Sequence, residues 1–343
     1  MSLALAVKYR PQSFTDLVEQ DSVKTILLNQ LESGEIKNAY LFCGPAGDGK
    51  TTTARIFANE INHGQGSPIE VDAASNNGVD EIRDIIVQAR TVSLDSEYKV
   101  IILDEAHMIT TQGWNAFLKT LEEPPAKTIF IMCTTDPQKI PKTILSRVQR
   151  FQFQRISQES ICRRLELIYQ TEAVENGWVA DYKYGDGIEY IAKVADGGMR
   201  DAITMLDKCL AYSTELSIEN VVKALGTVDY DEMFKLTNSL IGKDSKTVLG
   251  IIDNIYSQGK DLKVFIKNYS NFILDVCKYN VTGSYEFIQI PDIYPIKYAD
   301  REKEYLIRLL DKLVSLCEKL RWETTPKPLV ESTFMLECFR EEV

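Results

Sequence analysis

GPAGDGKT, residues 44–51, decides how the rest of the sequence is read. An apolar run, Tyr40 to Cys43, leads into it, and a helical pattern, Thr51 to Ile61, follows. Glycines let such a loop turn so that successive backbone N–H groups face phosphate oxygens, and the following helix N-terminus adds positive potential. Gly44, Pro45, Ala46, Gly47, Asp48, Gly49, Lys50, Thr51 and Thr52 therefore form a candidate phosphate cradle. In this spacing Lys50 reaches the outer phosphates and the Thr51 hydroxyl ligates Mg2+. Asp48 is out of place beside phosphate. It is tolerated if its backbone N–H serves the cradle while its carboxylate turns to solvent or to a neighbouring basic group.

Outward from the loop, the first 150 residues alternate strand-like and helix-like segments, the pattern of a parallel sheet covered by helices on both faces. Tyr40–Cys43, Ile69–Val71, Val100–Leu103 and Ile129–Cys133 read as buried strands. Between them, Val79–Arg90 places Ile82, Ile85 and Ile86 on one helical face, and Gln112–Leu121 does so with Trp114, Phe117, Leu118 and Leu121. The third strand delivers Asp104 and Glu105 at its end. Downstream of a phosphate loop, Asp104 is placed to hold Mg2+ and Glu105 to polarise an attacking water.

After about Ser157 the strand signals fade and amphipathic helices take over, with Ser157 and Ser217 as helix starts. Gly283–Pro295 reads as an irregular connection. Beyond it, Leu306, Leu310, Leu313, Cys317 and Leu320 form one apolar stripe, either internal core or partly intersubunit surface.

Composition narrows the classes. A chain of 343 residues, 44% hydrophobic, can bury a large core and suggests two or three domains of ~100–200 residues. Its longest apolar runs fall far short of the ~20 residues of a membrane helix, and Arg10, Pro11 and Asp16 interrupt any secretory signal. A cytoplasmic protein without membrane partners is expected. The seven cysteines are scattered, without a CxxC pair and with only two histidines, so no zinc is expected and the thiols read as reduced. The net charge of −11 argues against indiscriminate coating of nucleic acid. Residues 139–164 nevertheless carry seven Lys or Arg against one acid, Glu159, either a local basic track or a solvated face.

The strings GPAGDGKT, DAASNNGVDEIRD, LDEAHM, NAFLKTLEEPP, TTDPQKIPKTILSR and GGMRDAITMLD occur in this order. Together they resemble the AAA+ clamp-loader ATPases, most closely the gamma/tau branch of the bacterial DNA polymerase III loaders, from about Tyr9 to Leu225 and more weakly beyond. The resemblance implies an AAA+ phosphate-loop domain (residues 1–156), a small helical lid (157–226) and an all-α collar for oligomerisation (227–343). It implies an ATP-hydrolysing motor with Mg2+, in a hetero- or homo-oligomeric, pentameric ring with other loader subunits, acting on a sliding clamp and primer-template DNA, in a bacterial or virus-infected bacterial cytoplasm. An ATP-binding, non-hydrolysing scaffold is the alternative.

By the same resemblance, Thr135 matches the sensor that reads the γ-phosphate and Arg147 the arginine finger pointing into an adjacent subunit. Arg200 matches the lid sensor, and Tyr9 and Arg10, with Pro11, the segment closing over the base. Ser75, Asn76, Asn77, Arg90 and Thr110 are the implied DNA contacts. The chain departs from the family pattern at several places. Asn62–Pro68 closes the gap where a four-cysteine zinc module commonly sits, Val148 stands where a cysteine usually follows the finger, and Glu19 interrupts a Val-Gly-Gln string. The long tau tail is missing too, so a short, gamma-like subunit is expected.

Overall fold

The apolar runs flanking the phosphate loop become neighbouring strands of one sheet. The computed structural model describes residues 3–93, 95–178, 184–226 and 230–339. Strands β1 (Ala39–Cys43), β2 (Ile69–Asp72), β3 (Lys99–Asp104), β4 (Thr128–Thr134) and β5 (Gln149–Gln152) pair in the order β2-β3-β4-β1-β5, all parallel. Parallel neighbours need crossover connections, which lay helices on both faces and bury the central strands. Successive side chains point to opposite faces. Leu41, Ile101, Leu103, Phe130 and Met132 accordingly meet Ile82, Ile85, Trp114 and Phe117 of helices α4 (Val79–Ala89) and α5 (Thr111–Glu122). Tyr40, Phe42, Ile102, Ile129 and Ile131 meet Leu27 of α2 (Asp21–Ser33) and Ala54, Phe57 and Ile61 of α3 (Lys50–Ile61) on the other face.

Among the strands, one expectation needs correction and one element was missed. β2 is an edge strand whose side chains alternate between half-buried and exposed, so the run Ile69–Val71 is not buried through. β5 (QRFQ) escaped notice because one of its four residues is apolar. Phe151 alone fills the core, and backbone pairing with β1 supplies the rest.

The chain divides into two compact units, residues 1–214 and 215–343. In the first, α1 (Leu5–Lys8) precedes α2, α6 (Lys142–Leu145) precedes β5, and α7 (Gln158–Asn176), α8 (Tyr184–Val194) and α9 (Met199–Tyr212) follow the sheet. The Ser157 hydroxyl accepts from the Ser160 N–H, the cap its sequence predicted. The short connection at Asn62 is fastened by its side chain, which accepts from the Tyr98 N–H (2.8 Å) and donates to the Tyr98 carbonyl (2.9 Å). Glu19 stands in the left-handed region, φ 55°, where glycine is at ease, and its carboxylate accepts from the backbone N–H of Ser157 at 3.1 Å. Much of the basic stretch is locally matched by acids: Lys139 with Asp136, Arg147 with Glu122, Arg155 with Asp196 and Arg163 with Glu159. That pairing favours a solvated face over a continuous basic track.

The second unit is helical among its described residues: α10 (Ile218–Leu225), α11 (Tyr230–Ile241), α12 (Ser245–Ser257), α13 (Leu262–Thr282), α14 (Asp300–Leu320) and α15 (Pro326–Phe339). Ser217 caps α10 by accepting from the Asn220 N–H. On α14 the deepest side chains are Leu306, Leu309, Leu313, Leu316 and Leu320, each at most 2% exposed. Leu310 and Cys317, expected in the stripe, flank it half-buried. Both sets alternate steps of three and four, and the buried seam takes the opposite phase, through Leu309 and Leu316 one position before 310 and 317. All seven cysteines are free thiols, and burial pushes Cys162 and Cys209 up to about 11. No described helix is long and apolar enough to cross a membrane.

Candidate nucleotide site

The phosphate loop bridges the end of β1 and the start of α3, and its first N–H, from Gly44, donates to the Thr134 carbonyl at the end of β4. Gly47 has φ 78°, and a Cβ there would lie 3.2 Å from the Cα of Gly198 and 3.7 Å from the Arg200 nitrogen. The loop therefore needs glycine both for its turn and for the approach of the α9 N-terminus. Gly44 is close-packed from beneath. A Cβ on it would meet Asp48 Oδ2 at 2.2 Å and Phe153 at 2.8 Å.

The space beneath Gly44 houses the unexpected carboxylate. Asp48 is 2% exposed and Lys50 6%. Lys50 Nζ donates to Asp48 Oδ1 at 2.9 Å, to the Gly44 carbonyl at 2.9 Å and to the Pro45 carbonyl. Asp48 Oδ2 makes no hydrogen bond. Burial pushes the Asp48 carboxyl above its ordinary value, against the pull of Lys50 and of the nearby Lys50 and Asp48 backbone N–H groups. Of the two ways the carboxylate could be accommodated, the basic neighbour applies, and that neighbour is the phosphate-reaching lysine itself.

On the other side of the loop, Thr51 Oγ1 donates to Asp104 Oδ2 at 3.0 Å. Parallel pairing brings the ends of β3 and β4 side by side, so Asp104, Glu105 and Thr135 converge. Asp104 Oδ1 accepts from the Glu105 N–H at 3.0 Å, and Glu105 takes φ 47°, a left-handed turn that swings its side chain off the strand axis. Glu105 Oε2 accepts from Thr135 Oγ1 at 3.2 Å and lies 3.2 Å from His107 Nδ1, which is in turn 3.3 Å from Thr134 Oγ1. The Thr51 hydroxyl in the first turn of α3 and the Asp104 carboxylate at the end of β3 are a pair of hard oxygen donors of the kind Mg2+ takes.

These groups open into a cleft of ≈ 480 Å³. It is lined by the loop, by Asp104, Glu105 and Thr135, by Tyr9, Arg10 and Pro11 before the sheet, and by Arg164, Met199, Arg200 and Ile203 from the helices after it. Its volume suits a nucleotide-sized ligand. Arg10 is pulled below its ordinary value by burial first and then by Arg55 and Arg200, and with Arg164 four arginines line the cleft. Tyr9 is fixed by its hydroxyl, which donates to Glu172 Oε1 at 2.7 Å, and by its carbonyl, which accepts from Arg164 at 3.1 Å.

Several of these lining residues escaped the sequence reading. Arg55 lies four residues after Thr51 on α3, hence on the same helical face, and its Nε is buried without a partner while Nη2 pairs with Glu70. That spacing was a usable signal. Arg164 had none, nor did Glu172, which lies outside the lining and anchors Tyr9, because only the fold brings α7 to the N-terminal segment.

Arg147 is not in this cleft. Its guanidinium donates to the Thr143 carbonyl and to Glu122 Oε1, each at 2.6 Å. Ser75, Asn76, Asn77 and Thr110 gather at the N-terminal ends of α4 and α5: Thr110 donates from both its N–H and its hydroxyl to the Asn77 carbonyl at 3.1 Å, and Ser75 and Asn76 turn back on Asp72. Arg90 caps the far end of α4, ~16 Å away by helical rise, and does not join them. Among the described residues no cluster of three or more His, Cys, Asp or Glu is arranged to hold a metal ion.

Comparison with known proteins agrees with this architecture. The family profile "DNA polymerase III, delta subunit" matches residues 67–157, and "DNA polymerase III subunits gamma and tau domain III" matches residues 216–297. DNA polymerase III subunit tau of Bacillus subtilis is 36% identical over 98% of this chain and 63% of its own length. For the Escherichia coli tau subunit the figures are 35%, 74% and 42%. The chain thus spans about half the length of these tau relatives. The Buchnera aphidicola gamma subunit is matched almost end to end, 31% identical over 92% of this chain and 91% of its own. Among solved structures, the RuvB Holliday junction branch migration motor of Thermotoga maritima aligns with TM-score 0.52 at 18% identity, over 74% of this chain and 86% of that one, a likeness of fold alone. A phosphate-loop AAA+ unit followed by helices, related in sequence along nearly its whole length to a gamma subunit, places this chain in the gamma/tau subunit family of bacterial DNA polymerase III.

Proposed function

We propose that this chain is an ATP-hydrolysing motor subunit of a DNA polymerase clamp loader. The observation that carries the reading is the convergence of Lys50, Thr51, Asp104, Glu105 and Thr135 on one cleft, with Arg200 reaching it from the helices beyond the sheet. Lys50 and the loop N–H groups bind the phosphates, and Thr51 and Asp104 hold Mg2+. Bound there, Mg2+ would neutralise charge developing on the phosphates. Glu105 orients and polarises the attacking water, and its bond to Thr135 fixes the carboxylate. Tyr9 and Arg10 close over the base, and Arg200 links the occupied site to the lid.

Arg147, outside its own cleft, is available to complete the site of an adjacent subunit, so hydrolysis depends on assembly. An arginine supplied in this way is worth ~10³–10⁵ in rate. The partners are other loader subunits in a five-membered ring, a sliding clamp and primer-template DNA, in the bacterial cytoplasm. Residues 1–156, 157–226 and 227–343 act as ATPase domain, lid and collar. Ser75, Asn76, Asn77 and Thr110 offer helix N-termini and small polar groups suited to a DNA backbone. Arg90, at the other end of α4, would need a separate contact.

A second reading, ATP held without hydrolysis as a scaffold, is favoured by one observation, the engagement of Lys50 by Asp48. Equilibrium binding of ATP and steady-state hydrolysis, compared between the native chain and Lys50→Ala, tests both. Binding and turnover that Lys50→Ala abolishes support the motor, binding without turnover in any assembly supports the scaffold, and no binding refutes both.

A further inference from the structure

We infer that the Asp48 carboxylate competes with the nucleotide's phosphates for Lys50 and so holds the affinity of this loop for di- and triphosphates below that of the same loop with a neutral residue at position 48. The inference rests on the nucleotide reading above and adds a residue that sets its strength.

An ammonium has three N–H donors. Those of Lys50 have three acceptors, Asp48 Oδ1 and the carbonyls of Gly44 and Pro45, all inside the loop. A phosphate oxygen can take Lys50 only if one of these gives way. The carbonyls belong to the backbone whose turn makes the cradle, which leaves the carboxylate.

That carboxylate has little room to leave. It is tucked beneath Gly44 and against Phe153, and its Oδ2 is already without a hydrogen-bond partner. Once Lys50 moves to phosphate, a buried carboxylate remains beside the incoming negative charge without its counter-ion, a costly arrangement. Arginines line the same cleft, but none hydrogen-bonds the Asp48 carboxylate, whose Oδ1 is taken by Lys50 and whose Oδ2 has no partner. Asp104 at the end of β3 is acidic, and the Cys133 thiol of β4, buried and held protonated, carries no charge. Burial has pushed the Asp48 carboxyl upward even with Lys50 beside it, the direction expected of an ion whose only strong partner is that ammonium.

The test is titration calorimetry of the full chain in Mg2+ buffer with ATP, ADP and adenosine, for the native protein, Asp48→Asn and Asp48→Thr. Both neutral variants should bind ADP and ATP about 10- to 100-fold more tightly, the range of a charge-assisted hydrogen bond gained. Adenosine, which has no phosphate, should bind unchanged. Equal ADP and ATP affinities in all three proteins would overturn the competition and leave the nucleotide reading intact. A gain that appears equally for adenosine would also overturn it, because a structural effect on the cleft is blind to phosphate. Loss of folded circular dichroism in both variants would overturn it by showing that the pair builds the loop. If no folded protein in the set binds ATP or ADP, the nucleotide reading falls and the inference falls with it.

Discussion

Replacing Glu172 by alanine should release the N-terminal segment from α7 while leaving the sheet intact. Glu172, whose side chain is 12% exposed, accepts from the Tyr9 hydroxyl at 2.7 Å and from Lys8 Nζ, which also pairs with Glu175. A hydrogen bond to a carboxylate contributes ~1.5–3 kcal/mol and a pair as open as Lys8–Glu172 ~0.2–1 kcal/mol. The remaining anchors are the Leu5 N–H on Asp207 at 3.1 Å, Arg164 on the Tyr9 carbonyl and the buried Leu5 side chain. With these retained, the net loss should be ~2 kcal/mol, about a 30-fold rise in the open population of residues 5–10.

Amide hydrogen exchange reads that population directly. The N–H groups of Lys8 and Tyr9, which donate to the Ala4 and Leu5 carbonyls, should exchange ~30-fold faster, while those of β1 and β4 do not change. Tyr9→Phe should reproduce most of the effect. The pH dependence has a definite sign. Burial raises the Glu172 carboxyl, but Lys8 and Tyr9 together bring it below its ordinary 4.5. Its stabilisation is therefore complete above the ordinary carboxylate range and is lost as pH falls through the lowered native value. Unchanged exchange at Lys8 and Tyr9 in Glu172→Ala would refute the latch.

Other expectations follow from single contacts. Glu105→Gln keeps a hydrogen-bonding side chain beside Thr135 but loses the charge that polarises water, so ATP binding should persist while turnover falls ~10²–10⁴-fold in a single-turnover assay. Asn62→Ala removes both bonds to Tyr98 and should cost ~1–2 kcal/mol, seen as a melting shift of ~2–8 °C in the first unit. Gly47→Ala places a Cβ at φ 78° against Gly198, so nucleotide affinity should fall at least ~10-fold in equilibrium titration, whereas Gly34→Ala, with open space around it, should leave affinity unchanged.

Much of the fold was readable because the physics that builds it is local. Fully apolar runs such as Val100–Leu103 have few fates other than a central parallel strand, and the glycine-rich loop fixes what precedes and follows it. β5 was hidden because a short edge strand is held by backbone pairing, which no side-chain pattern records. The loop, Asp104 and Glu105 were legible because each lies at or just beyond a strand end, whereas Thr135 was reached only through the family resemblance. Arg164 and Glu172 were not, since their roles arise from tertiary contacts more than 150 residues apart in sequence. Asp48 shows the limit most clearly. Its strangeness was visible in the sequence, but its partner, the lysine two residues away, was settled only by the space beneath Gly44.

The central claim, that this chain hydrolyses ATP at a site completed by a neighbour, is tested most directly by ATPase rates in the loader assembled with its companion subunits. Rates would be taken with and without clamp and primed DNA, for the native chain and for Arg147→Ala. The account predicts strong stimulation by clamp and DNA that Arg147→Ala removes while each isolated chain still binds ATP. Equal stimulation in Arg147→Ala, or ATP bound and never hydrolysed in any assembly, would contradict it.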